Sequence, residues 1–359
     1  EILDEIPEVD GILGTTTYDE ISNVLSQVLG GQEHVQCFHD LNALPKAGTE
    51  RMITTGGHYA FLKIAEGCDK RCTYCIIPSL RGTYRSVPME ELVAQAENLA
   101  QKGVKELILV AQETTVYGVD LYGKKSLPEL LRRLCKIEGI QWIRIQYCYP
   151  EEITDELIQV IGQEEKICHY LDLPIQHASD RILKRMGRRT SQEQLRAIIE
   201  KLRKEIPDIA PRTTLISGFP GETEEDHEAL LSFVDEMEFE RLGVFAYSAE
   251  EDTPAASFPD QIPQEVKEER RDEIMELQQE ISFDHSQSMV GQVLEVMIEG
   301  KVADENAYVG RTYMDGPGVD GLIFVQTGEA LMSGDFARVR VTGAMEYDLI
   351  GELENESAQ

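Results

Sequence analysis

Between about Tyr59 and Ser248 the chain repeats one unit six times: a short apolar run, a turn, then a segment whose apolar positions recur at helical spacing. The strand-like runs are YAFLKIAE, ELILVAQ, WIRIQYCYP, CHYLDLPIQ, RTTLISGFP and RLGVFAYS. Helix-like segments lie between them. MEELVAQAENLAQKG has Pro88 near its start and Gly103 past its end, and SQEQLRAIIEKLRK and TEEDHEALLSFVDEM open with the capping-box pairs Ser191/Gln194 and Thr223/Asp226. Strands this apolar, each followed by a helix, are covered on both faces and pair in parallel. Six such units make a barrel or an open barrel of α/β class, with any ligand at the C-terminal ends of the strands.

After a charged helix, QEVKEERRDEIMELQQEISFDH, the pattern changes to short alternating strands with glycine turns: GQVLEVMIEG, AYVGRTYM, GLIFVQ, DFARVRVTGA and YDLIGEL. This predicts a second, small antiparallel β-barrel. Residues 1–45 supply one strand-like GILGT and one helix-like YDEISNVLSQVLG, too little for a domain.

Acidic residues outnumber basic ones 66 to 34, a net charge of −32, which disfavours a general nucleic-acid or anionic-membrane binder and favours a basic partner. No apolar run reaches the length of a membrane span and residues 1–10 lack a signal-peptide pattern, so a cytoplasmic location without membrane contact is expected.

Three of the seven cysteines crowd into GCDKRCTYC directly after the first strand, as Cys68-x3-Cys72-x2-Cys75. Three thiolates on a tight loop can hold three irons of a cubane cluster and leave the fourth open to a ligand. A zinc site lacking its fourth ligand, or three ordinary buried thiols, would use the same residues, but the second Cys pair usual in zinc motifs is absent. Cys37, Cys135, Cys148 and Cys168 read as ordinary thiols, Cys148 being the one at a strand end that faces the site.

At this loop the chain resembles the radical S-adenosylmethionine (SAM) enzymes. The stretches KIAEGCDKRCTYCIIPSLRGTYRS, QYCYPEEITDELI, YLDLPIQHASDRILKRMGR and TTLISGFPGETEED are similar to the methylthiotransferase branch, and within it to the RimO family, which modifies an aspartate of the small-subunit ribosomal protein uS12. The resemblance implies a partial six-unit radical SAM barrel over residues 59–285 and a TRAM-like barrel over 286–354. It implies a 4Fe-4S cluster on Cys68, Cys72 and Cys75 whose open iron binds SAM, and an electron donor. Reductive cleavage of SAM would give a 5′-deoxyadenosyl radical that takes a hydrogen from the aspartate β-carbon, followed by insertion of sulfur and transfer of a methyl group from a second SAM.

The related tRNA adenosine methylthiotransferases typically read LPVQSGS and SSHP where this chain has LPIQHAS and YCYP. His177, Ala178 and Tyr149 thus favour a protein substrate. Residues 288–359 hold four basic and thirteen acidic residues, a net charge of −9, so counterion release cannot drive phosphate binding by them and a basic ribosomal protein suits them. A tRNA methylthiotransferase is the near alternative, and a non-enzymatic, metal-stabilised ribosome-binding module the distant one.

Family members begin earlier, with an N-terminal domain whose three further cysteines bind a second 4Fe-4S cluster. EILDEIPEVDGILGT resembles the tail of that domain, so residues 1–45 are expected to be its remnant, without the second cluster.

By the same resemblance Tyr74, the aromatic residue before the last cluster cysteine, and Gln112, at the end of the second strand, fall among cofactor-binding residues. Gln112 could equally be a solvated strand end. His177 contacts ligand or satisfies a loop. Gly218 and Gly221 in GFPGET let backbone approach SAM or make the turn. Arg188 and Arg189 bind the SAM carboxylate or ribose, or complement a helix end.

Overall fold

The computed structural model describes residues 2–44 and 52–354. Residues 1 and 45 of the N-terminal stretch lie outside the described residues. The six apolar runs form the six strands of one sheet: β1 (Tyr59–Lys63), β2 (Glu106–Val110), β3 (Trp142–Ile145), β4 (Ile167–Asp172), β5 (Ala210–Ser217) and β6 (Arg241–Ala246). They lie side by side in chain order and every pair is parallel. β1 and β6 are the two edges, so this is an open barrel.

Helices α1 (Met89–Gln101), α2 (Leu127–Leu134), α3 (Asp155–Gln163), α4 (Gln192–Glu205), α5 (Glu224–Met237) and α6 (Gln264–Ser288) follow the successive strands. Both expected capping boxes form, at Ser191/Gln194 and Thr223/Asp226, and Thr154 caps α3 by accepting from the Leu157 N–H. A cap satisfies backbone donors that the first helical turn leaves without partners, and so fixes where each helix begins. Leu62, Leu92, Leu107, Ile143 and Leu171, from strands and covering helices alike, meet in one buried cluster.

The strands end short of the runs that predict them, and in three the reason is local. The first breaks at Ile64, after which Ala65–Glu66 pairs antiparallel with Arg85–Ser86. The third stops at Ile145 because Tyr147 takes φ +69°, and the fourth stops before Pro174, which cannot donate to a ladder. Each early end frees a loop at the C-terminal edge of the sheet.

The C-terminal barrel closes as β7 (Val293–Lys301), β8 (Ala307–Arg311), β9 (Ile323–Gln326), β10 (Phe336–Ala344) and β11 (Leu349–Leu353), in ring order β7-β8-β9-β11-β10. It is not wholly antiparallel, since β9 pairs with β11 in parallel. A closed ring with an odd number of strands cannot alternate direction all the way round, so one parallel pair is unavoidable. At the other end of the chain, Gly11–Leu13 pairs with Val35–Cys37 beside the helix Ile21–Leu29; the second of these strands has no clear sequence signal. Among the described residues no helix is long and apolar enough to cross a membrane.

Candidate functional site

The loop after β1 is built to hold its cysteines in place. Gly67 has φ +81°, and a Cβ there would sit 2.1 Å from the Thr83 carbonyl oxygen, so only glycine lets the chain turn this close to the 82–83 backbone. The Gly67 N–H donates to Gln112 Oε1 (2.9 Å) and the Cys68 N–H to the Gly82 carbonyl (3.1 Å). Further on, the Thr73 N–H donates to the Met186 carbonyl (2.9 Å) and the Ala255 N–H to the Thr73 carbonyl (2.8 Å). Gly187 (φ +76°) lies against the loop from the other side, where a Cβ would be 2.8 Å from the Arg71 carbonyl oxygen.

Cys68, Cys72 and Cys75 are all free thiols, and each lies close enough to another for their charges to interact. Burial pushes the Cys68 thiol up to about 11 and raises Cys75 as well. Thiolates in such surroundings require a compensating cation, and three unpaired sulfurs on one loop are the donor set a cubane cluster uses. The residues therefore fit an iron-sulfur cluster with one position left to a ligand. Among the described residues no three His, Cys, Asp or Glu side chains converge on a single-ion site.

Beside the loop opens a cavity of about 660 Å³, lined by the segments that follow β1 to β4. Cys68 and Cys72 form one wall; Glu113, Lys125, Tyr149 and Arg188 lie among the others. Tyr149 packs its hydroxyl 3.6 Å from Cys72 Sγ, and the Arg188 guanidinium stacks 4.2 Å above the Tyr149 ring. Arg188 Nη2 donates to the Pro174 carbonyl (3.1 Å), while its Nε and Nη1 have no protein partner although the residue is buried. A buried guanidinium with two free donors is a ready receptor for a carboxylate.

Glu113 is the counterpart. Its Oε1 accepts from the Thr115 N–H (2.9 Å) and the Thr115 hydroxyl, its Oε2 has no partner, and burial pushes the carboxyl up to about 7. Its signal in the sequence was its place next to Gln112, at a strand end. Lys70 and Lys125 both reach Glu152, at 2.5 and 2.8 Å. With Arg71, Arg188 and Arg189 they bring five basic side chains to the cavity, which five acidic ones also line.

The remaining sequence candidates sit around the cavity, outside its lining. Gln112 holds the Gly67 amide. Tyr74 packs edge to face against Phe219 (6.5 Å between centroids), and burial raises its hydroxyl well above the usual range. His177 is buried, with Nδ1 accepting from the Ala178 and Ser179 N–H groups (3.0 and 2.9 Å) and Nε2 3.4 Å from Glu222. Gly218 (φ +67°) leaves no room for a Cβ against Lys267, and Gly221 (φ +80°) none against the Arg185 guanidinium. In both, the turn and its close packing require glycine. Cys148 is buried with its Sγ 3.3 Å from the Thr114 hydroxyl, and burial raises its thiol strongly.

The model of the radical SAM superfamily matches residues 62–234 and that of the TRAM domain residues 290–353. Among curated proteins, the chain is 67% identical over 354 residues to the ribosomal protein uS12 methylthiotransferase RimO of Lachnoclostridium phytofermentans, covering 99% of this chain and 80% of that protein. It is 50% identical to the protein of the same name from Acetivibrio thermocellus (100% and 81% covered) and 48% identical to that from Clostridioides difficile (100% and 80%). Likeness to solved structures is weaker: the radical SAM methyltransferase TsrM of Kitasatospora setae superposes with a TM-score of 0.47 at 18% identity, over 59% of this chain and 39% of that one. Identity of one half to two thirds along nearly the whole chain, with both domain models in the expected order, shows that it belongs to the RimO family of radical SAM methylthiotransferases.

Proposed function

We propose that this chain holds a 4Fe-4S cluster on Cys68, Cys72 and Cys75, binds SAM in the adjoining cavity, and serves methylthiolation at the β-carbon of an aspartate in ribosomal protein uS12. The observation that carries this reading is the group of three free, buried or half-buried thiols on a rigid loop beside the cavity. The cluster and SAM would supply a one-electron cleavage that delivers a carbon radical to an unactivated C–H bond. The protein's own residues would bind and orient. Arg188 offers two unpartnered donors to the carboxylate of a bound amino acid, and Glu113 offers a free oxygen to its ammonium. Tyr149 keeps Cys72 and Arg188 in fixed relation and shields the sulfur from water.

The exposed acidic residues of the C-terminal barrel, among them Glu295, Asp304, Glu305 and Glu329, support a basic protein as the partner and oppose an RNA. The test is anaerobic reconstitution with iron and sulfide, reduction with SAM present, and chromatography for 5′-deoxyadenosine. Product that vanishes in Cys72→Ala is expected. A fully loaded cluster that yields no product would overturn the reading. Mass spectrometry of a uS12 peptide, beside a tRNA control, then tests the substrate: a methylthio group on the aspartate is expected, and one on the RNA would refute it.

A further inference from the structure

The C-terminal barrel does more than offer an outer surface. Its loop from Thr312 to Asp320 meets polar and charged side chains of β3 to β6. Arg144 donates to the Tyr313 carbonyl (2.6 Å), Arg241 to Asp315 (2.6 Å), and Arg212 Nε to Asp320 Oδ1 (3.2 Å). Asp320 Oδ2 also accepts from the Tyr170 hydroxyl (2.9 Å). The Asp320 side chain is 3% exposed, so these are interior contacts.

From Asp320 the contacts continue upward to the site. Arg212 Nη1 donates to Asp172 Oδ1 (3.0 Å) at the C-terminal end of β4. Asp172 holds the segment by its backbone, its carbonyl accepting from the Cys148 N–H (2.7 Å); burial raises its carboxyl above the usual range, and Arg212 and the nearby Tyr147 N–H act to lower it. Tyr147 needs this support. A bulky residue at φ +69° is strained, and such conformations persist only where their surroundings impose them. On its other side the Thr114 N–H and hydroxyl both donate to the Tyr147 carbonyl at 3.1 Å. Two residues further on is Tyr149, the residue that touches Cys72 and carries Arg188.

We propose that Asp320 is a positioning residue of the active site: through Arg212 and Asp172 it holds the Tyr147–Tyr149 segment in its strained, productive geometry, so that the C-terminal barrel shapes the cavity as well as presenting its outer face. Only the consequence for SAM rests on the proposed function. The geometric part concerns the chain alone.

The experiment is hydrogen exchange on the full chain without cluster, comparing wild type with Asp320→Asn and the milder Tyr170→Phe. Amides of 145–149 are expected to exchange about tenfold faster in Asp320→Asn, equivalent to ~1.4 kcal/mol of lost local protection, and less so in Tyr170→Phe, while those of β1 and β2 keep their protection. Unchanged exchange at 145–149, or loosening confined to 312–320, refutes the proposal. Should Asp320→Asn fail to fold, Tyr170→Phe decides by the same criterion. In the reconstituted protein the KM for SAM, measured without uS12, is expected to rise about tenfold or more in Asp320→Asn, since small misplacements of a binding wall have effects of that order. Lys301→Gln, exposed on the same barrel, is expected to leave it unchanged. If wild type cleaves SAM and Asp320→Asn matches it in KM, the positioning role fails and the proposed function stands.

Discussion

Removing Glu106 tests how the two barrels are held together. Its carboxylate is fully buried at the start of β2 and accepts from Arg144 Nε (2.8 Å) and from Arg311 Nη2 (2.6 Å), the latter on β8 of the C-terminal barrel. Burial alone would raise its pKa, but the two guanidiniums outweigh it and hold the carboxyl below its usual range. In Glu106→Leu, Arg311 keeps Glu299 and the Asp315 carbonyl, whereas Arg144 keeps only the carbonyls of Thr312 and Tyr313. One buried cation therefore loses its only carboxylate, a loss of about 3–5 kcal/mol. Trp142, the single tryptophan, packs edge to face on Phe336 of the C-terminal barrel (4.9 Å between centroids), so its fluorescence reports this interface. For a urea dependence of about 1–3 kcal/mol per molar, the tryptophan transition should move down by on the order of 1–5 M. Replacing all three groups, Glu106→Leu with Arg144→Met and Arg311→Met, should recover much of the loss, because apolar residues of similar volume often replace a buried ionic cluster at little cost. A folded carboxyl with a lowered pKa contributes stability above its unfolded value and loses it as pH falls through the folded one, so the acid limb of stability should flatten in Glu106→Leu. A loss under about 1 kcal/mol, or a triple variant as unstable as the single, would refute the assignment of interface stability to this cluster.

Glu113, raised to about 7, predicts a pH dependence of binding at the cavity: a ligand ammonium prefers the ionised carboxylate, so SAM affinity should rise with pH through about 7. Glu113→Gln should give a flat, weaker profile in equilibrium binding, and a wild-type profile without that rise would count against the contact. Arg188→Met should raise the KM for SAM by about tenfold or more, on the order of 1.5–3 kcal/mol for a hydrogen bond to a charged group, with little change in cluster content by iron analysis. In Gly187→Ala the new Cβ would press on the Arg71 carbonyl at φ +76°; a loss of at least ~1 kcal/mol in thermal unfolding, with poorer iron incorporation, is expected. Association with uS12, measured by a titration in salt, should weaken steeply with ionic strength if the exposed acids of the C-terminal barrel make the contact, and salt-independent binding would exclude them.

The parts of the fold that follow from local chemistry were legible in the residues. Alternating apolar runs and helical periodicities set the six strands in their order, and Ser191 and Thr223 marked helix starts because a cap needs only neighbours a few residues away. The strand ends were not legible, because the left-handed Tyr147 is held by Thr114 and, through the next residue Cys148, by Asp172, both remote in sequence. The same limit governs the site. Three cysteines within eight positions announce themselves, whereas Glu113 and Arg188 gain their meaning from which of their atoms are left without partners after folding. His177 shows the same limit, since beside a strand end it reads equally as a ligand contact or as loop support, and only the fold shows its Nδ1 accepting two backbone N–H groups.

Charge shows most clearly what a sequence total conceals. The net −9 of residues 288–359 invites a single explanation, an acidic face for a basic partner. In the folded chain the acids divide. Asp315 and Asp320 turn inward onto Arg241 and Arg212, and Glu299 meets His58 just before β1, so part of the acidity docks one barrel on the other. Among the described residues Glu295, Asp304, Glu305, Glu329, Glu346 and Glu352 remain on the outside, where they can steer a partner in solution. The inward group is desolvated and weakly screened, the outward group exposed and strongly screened, so salt should loosen the complex with a basic protein well before it loosens the joint between the barrels.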